Sequence, residues 1–162
     1  MNDGITYIGI DPGANGSIAW VRDGECGASL PLGKMSERDK WLYLTELPEP
    51  CRVVIEQVSG NRNAANGGRA QGASGMFTFG QSYGFLRGIA VASSFPFHCV
   101  TPQTWQPAMG IHKVKDEKPT DKKNRHKARA QQLFPSVKMT HAKADALLLA
   151  AFGKLRANEL FL

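Results

Sequence analysis

The chain has 162 residues, 42% apolar and 21% charged, with a formal net charge of +6 and three widely spaced cysteines (Cys26, Cys51, Cys99). Such a length suits one domain, residues 1–162, burying roughly 70% of its unfolded surface. The numbers argue against a disulfide framework or zinc site, and against a membrane span, since the longest apolar stretch, Phe85 to Phe97, is short and contains Arg87. MNDGITY lacks the basic-then-apolar order of a signal peptide, so a reducing cytosol is the expected setting.

Ile5 to Ile10 reads as a buried strand that ends on Asp11. Gly13-Ala-Asn-Gly16 supplies turn chemistry and Ser17 to Val21 returns as a second strand. After the Asp23-Gly24 turn, Glu25 to Leu32 is expected as a third. Ser36 to Leu47 has helical spacing, with Ser36 as cap and Trp41, Leu44 and Leu47 on one face, until Pro48-Glu-Pro50 stops it. Arg52 to Ile55 is a β-branched run ending on a second acid, Glu56. Ser59 to Gly72 reads as a glycine- and asparagine-rich loop.

From Gln71 to Ser93 the pattern fits a long helix whose Gly80, Gly84 and Gly88 form a ridge. Each costs roughly 1 kcal/mol against alanine, so another element should pack there, either this protein's own sheet or a second subunit. Phe97 to Thr101 is another strand, and Pro102 opens a short helix that includes Trp105. Gly110 to Thr120 is a charged loop, Asp121 to Phe134 a basic helix, and Ala142 to Ala157 a final helix with Leu147, Leu148, Ala151 and Leu155 at core spacing. The order β-β-β-α-β-α-β-α-α is that of a mixed α/β domain.

Lys113 to Arg129 holds eight Lys or Arg and three Asp or Glu, a local excess of five out of the net +6. Such a cluster favours a polyanion, although a solvated basic helix has the same composition. The acids are more specific. Asp145 interrupts the small and apolar run HAKADALLLA near the start of the last helix. Taken singly, Asp11 shapes a turn, Glu56 sits in water at a strand end, and Asp145 is a favourable first-turn charge. Taken together, two strand-end acids and one helix acid make an oxygen-rich cleft suited to Mg²⁺ or Mn²⁺. Two such ions about 3.5–4 Å apart support phosphodiester hydrolysis. His141 lies four residues before Asp145, on the same helical face, and is a candidate ligand or proton carrier. His98, His112 and His126 have no comparable context.

IGIDPGANGSIA, VVIEQV and KADALLLA, with QGASGMFTFGQSYGFLRGIA and VTPQTW between the last two, resemble the RuvC-like Holliday junction resolvases, in particular the phage-type members. The likeness spans nearly the whole chain with its motifs in order. It implies an RNase H-like fold, a mixed five-stranded sheet with helices on both faces. It also implies a homodimeric, Mg²⁺-dependent endonuclease (Mn²⁺ substituting) that makes paired nicks in four-way or other branched DNA. The expected setting is the cytoplasm of a bacterium or phage-infected host, with no membrane partner and no small-molecule cofactor.

Asp11, Glu56 and Asp145 fall on the family's metal-binding acids, and His141 falls one position from a further ligand, where Ala142 stands here. Gln106 replaces a lysine that many members carry, so phosphate neutralisation is expected from Lys113, Lys118, Lys122, Lys123 or Arg125, with Lys122 and Arg125 favoured. Arg62 and Arg69, in the polar loop where cellular members carry an aromatic wedge, are further DNA-contact candidates; Phe77, Phe79 and Tyr83 are candidate replacements for the wedge, although aromatics on a helix are more often core.

Other readings keep parts of this picture. DPGANG also resembles the phosphate loop of actin-like ATPases and sugar kinases, which close two domains on a nucleotide; no second such loop follows here. An RNase H-like nuclease for forks, flaps or RNA–DNA hybrid, and a cleavage-silent branched-DNA binder, share the same acids and basic segment.

Overall fold

Hairpins open the chain in the computed structural model, which describes residues 3–57 and 72–161. β1 (Thr6–Ile10) pairs antiparallel with β2 (Ile18–Arg22), and β2 with β3 (Glu25–Ala28). A 3-10 turn (Leu32–Lys34) and α1 (Glu37–Thr45) lead to β4 (Cys51–Glu56), which lies parallel to β1. α2 (Ala73–Ala92) leads to β5 (Phe97–Val100), parallel to β4, completing a five-stranded sheet of order β3-β2-β1-β4-β5. α3 (Pro102–Ala108), α4 (Pro119–Leu133), α5 (His141–Leu155) and a short α6 (Ala157–Leu160) follow.

Because β1 and β4 are covered on both faces, their apolar runs are continuous rather than alternating. Tyr7 and Val54 point to one side, with Ala19 and Val21 of β2, under α5, α3 and α4. Ile8, Ile10, Val53 and Ile55 point to the other, against Leu44 of α1 and Leu86 and Ile89 of α2. The expected helices on both faces are therefore present. The expected Ser59 to Gly72 loop, apart from Gly72, lies outside the described residues, together with Arg62 and Arg69.

Several expectations about individual elements are corrected. The third strand ends at Ala28, because the Ile18 amide donates to the Ser29 hydroxyl (3.0 Å) and the chain then enters the 3-10 turn. Ser36 does cap α1: its hydroxyl accepts from the Asp39 amide (3.1 Å) while the Asp39 carboxylate accepts from the Ser36 amide (3.0 Å). The buried side of α1 runs through Tyr43 and Leu44 and is continued by Leu47 just beyond its end, turned past Trp41, which is 47% exposed. Leu155 is likewise exposed, in the last turn of α5, and Phe152 takes the core position. α5 is buried almost all round at Ala146–Ala150, so a one-sided stripe understates it.

The glycines divide by what surrounds them. A Cβ on Gly9 would stand 2.1 Å from the Ala146 carbonyl oxygen and 2.4 Å from the Ala150 nitrogen, so α5 lies directly on the backbone of β1. Gly153 lets α5 close on the Val54 side chain of β4, whose Cγ2 would stand 2.9 Å from a Cβ there. Gly80, Gly84 and Gly88 are different: among the described residues, a Cβ there would meet nothing within 4 Å. The ridge does not pack on the protein's own sheet, because α2 turns Leu86, Ile89 and Ala90 inward and leaves these glycines on the outer side.

Gly9→Ala should therefore lower the unfolding free energy by about 3 kcal/mol, since backbone rather than a mobile side chain blocks the methyl group. Gly84→Ala should raise the stability of the monomer by about 0.5–1 kcal/mol. Urea denaturation of both variants checks the pair, and an unchanged midpoint for Gly9→Ala would contradict the close approach of α5.

Candidate active site

Ile10 of β1 is in register with Ile55 of β4, so the next step brings Asp11 and Glu56 side by side where two parallel strands end. Ligand sites of open α/β sheets occur at this carboxyl edge. Glu56 follows Val54 by two residues, which by strand alternation sets it on the face covered by α5. The Asp11 carboxylate accepts from the Gly13 amide (3.3 Å), and the Asp11 amide donates to the Ser17 carbonyl (3.1 Å). Gly16 closes this turn so tightly that a Cβ would fall 2.2 Å from the Asp11 carbonyl oxygen.

α5 brings the third acid. Thr140 caps it by accepting from the Lys143 amide (3.3 Å), and the buried Ser17 hydroxyl donates to the Ala142 carbonyl (3.0 Å). This bond and the bare backbone of Gly9 fix the first turns of α5 over the end of β1. Asp145 then faces the same cleft as Asp11, a concavity of about 690 Å³ also lined by Phe79, Lys123, His126 and His141. Glu56 is not among the lining residues. Among the described residues, no three His, Cys, Asp or Glu side chains are gathered closely enough to hold a metal ion.

Of the two histidines in the cleft, His141 is exposed, with Nε2 2.9 Å from the Asn124 side-chain oxygen. His126 corrects the expectation that it lacked a chemical context. It is 5% exposed, and its Nδ1 lies 2.7 Å from Oδ1 of Asp145, itself 27% exposed. The sequence did carry a sign of its burial: His126, Ala130 and Phe134 recur every four residues, so the imidazole extends the apolar stripe of α4.

The basic segment is less uniform than its composition. Lys123 reaches the cleft; Lys113, Lys118 and Lys122 are exposed along the loop and the first turn of α4. Arg125 is engaged, its Nε and Nη2 donating to the two carboxylate oxygens of Glu117 (2.8 and 2.7 Å) and its Nη1 to the His112 carbonyl (2.7 Å). These bonds from Arg125 hold the Glu117 carboxyl below the usual carboxylate range.

No family model and no curated protein matches the sequence. Solved structures do match. A Thermus thermophilus RuvC structure aligns with a TM-score of 0.55 and 16% identity, over 96% of this chain and 95% of that one. T. thermophilus RuvC in complex with a Holliday junction substrate aligns with a TM-score of 0.58 and 14% identity over the same shares. The chain shares their fold, the RNase H-like fold of RuvC: a mixed five-stranded sheet with helices. No helix among the described residues is long and apolar enough to cross a membrane.

The Glu117–Arg125 clamp has a defined pH response. Since the folded state lowers the Glu117 pKa, its contribution is complete above the unfolded value of about 4.3 and is lost as pH falls through the lower folded value. The melting-temperature gap between wild type and Glu117→Gln should be small, constant from pH 7 to 5, and should close only on further acidification. Thermal melts across pH 3–7 check this; a gap that closed between pH 7 and 6 would contradict the assignment.

Proposed function

We propose that this protein is a divalent-metal-dependent endonuclease that cuts branched DNA, four-way junctions above all, by paired nicks from a homodimer. The observation that carries the reading is the meeting of Asp11 and Asp145, from opposite ends of the chain, with His141 and Lys123 in one cleft. The likeness to a RuvC structure holding a Holliday junction supports DNA of this kind as substrate.

The donor types fit a hard divalent ion. Carboxylates converging on a cleft repel each other, and a cation makes their approach favourable. Asp11 and Asp145 would hold it from within the cleft, drawn closer by the ion itself, and Glu56 from its register position beside Asp11. Bound Mg²⁺, or Mn²⁺ in its place, would supply charge neutralisation at the scissile phosphate and a water acidified toward neutral pH. The chain's own residues do the rest. Lys123 neutralises a phosphate oxygen and takes the part of the lysine absent at Gln106, while His141 carries a proton at the attacking water. Lys113, Lys118 and Lys122 follow the DNA backbone, fixing position rather than reading sequence. We assign Arg125 to holding the 112–118 segment through Glu117, and keep Arg62 and Arg69 as candidate DNA contacts.

Paired nicks on the two symmetric strands of a junction need two sites related by a twofold axis. The outer side of α2 offers a face for a second copy: Gly80, Gly84 and Gly88 leave it open, with Phe77 68% and Val91 64% exposed. The setting we propose is the cytoplasm.

Asp11→Asn should abolish cleavage while junction affinity, measured by gel shift in EDTA, is kept or tightened, because one negative charge leaves the cleft. Loss of binding together with cleavage would instead give Asp11 a folding role. Replacing both Lys122 and Lys123 by alanine should weaken junction binding and reduce the slope of log K against log salt by up to about 2. Unchanged affinity and slope would remove both lysines from the DNA surface.

A further inference from the structure

We propose that His126 is a positioning residue: it fixes the Asp145 carboxylate so that Oδ2 is presented to the cleft as a metal-binding oxygen. The inference rests on the metal-dependent reading above and deepens it.

The geometry is specific. His126 projects from the inner side of α4 across to α5, and its Nδ1 stands 2.7 Å from Asp145 Oδ1. An ionised carboxylate only accepts, so Nδ1 carries the proton. The other ring nitrogen, Nε2, is buried and has no hydrogen-bond partner among the described residues. The ring meets the fully buried Trp105 edge to face, with centroids 5.9 Å apart and planes at 78°. Trp105 thus packs against the imidazole and limits its movement.

A histidine serving only to fill the core is poorly chosen here. Leaving a ring nitrogen buried without a partner costs free energy that a phenylalanine in the same space would avoid. What the imidazole adds is a donor at one defined point. The terminal torsion of an aspartate is broad, and a single fixed hydrogen bond to Oδ1 selects one orientation from it. Asp145 is 27% exposed and lines the same cleft as Asp11, so the oxygen left over is the one available to a cation there. Groups that orient a metal-binding side chain in this way typically carry 10–100-fold of metal affinity.

Two variants separate positioning from packing. His126→Phe keeps the ring volume against Trp105 and removes the donor; His126→Asn keeps an N–H close to the place of Nδ1 and gives up volume. Mn²⁺ affinity, measured by isothermal titration on the protein without DNA, should fall 10–100-fold in His126→Phe and stay within about threefold of wild type in His126→Asn. Junction binding in EDTA should be the same in all three proteins. Wild-type affinity in His126→Phe, or a loss in His126→Asn as large as in His126→Phe, would overturn the proposal.

A measurement on the wild type needs no variant: the His126 Nδ1–H proton, seen by NMR, should shift when Mg²⁺ is added, and an unmoved resonance at saturating Mg²⁺ would overturn it. Wild type that binds neither Mn²⁺ nor Mg²⁺ would overturn the metal reading itself and this inference with it. Wild type that binds Mn²⁺ no more tightly than His126→Phe would overturn this inference alone.

Discussion

The candidate site depends on one close approach, that of α5 to β1 across Gly9. With a Cβ position only 2.1 Å from the Ala146 carbonyl, helix and strand meet backbone to backbone. Asp145 is the residue before Ala146, and Asp11 is two residues beyond Gly9, so that contact brings the two acids to one cleft. The Ser17 to Ala142 hydrogen bond keeps α5 from rotating about the contact, and Gly153 repeats the close fit at β4. Two like charges held together by packing raise the energy of the folded state. Here the Gly13 amide, the His126 N–H and the nearby Lys123 ammonium lower that cost. A divalent cation would lower it further.

Much of this was legible in sequence because it is local. A strand that ends on an acid, a Gly-Ala-Asn-Gly turn, a serine that caps a helix: each is decided within a few residues, and each stands where expected. What was not legible is what one element meets when it packs on another. Glycine marks a missing side chain without saying what lies in its place. Gly9 and Gly153 admit close contacts, whereas the more regular Gly80, Gly84 and Gly88 meet nothing within 4 Å among the described residues. His126 escaped for the same reason: within a basic helix it reads as one more solvated polar residue, and its partner is on another helix. Trp41 and Leu155 show the reverse error, apolar residues at helical spacing that lie beside or beyond the contact their helix makes.

Charge follows the same logic. The local excess of five positive charges overstates what is available to a polyanion, because Arg125 donates two hydrogen bonds to Glu117. That pair ties the 112–118 segment to α4 and leaves a graded set of lysines, Lys123 in the cleft and Lys113, Lys118 and Lys122 outside it. Exposed lysines of this kind attract phosphate with little regard for sequence, and the attraction is screened within about 8 Å at physiological salt. Discrimination among DNA shapes would then rest on how the cleft and a second copy are placed.

The most direct test of the nuclease assignment is cleavage by the wild-type protein of a synthetic four-way junction, beside matched duplex, fork and RNA–DNA hybrid, in Mg²⁺ and in EDTA. The account predicts paired nicks on opposing strands, confined to the junction and abolished by EDTA. Equal or better cutting of the fork or hybrid would contradict junction resolution, and cutting that persisted in EDTA would contradict the metal-dependent site.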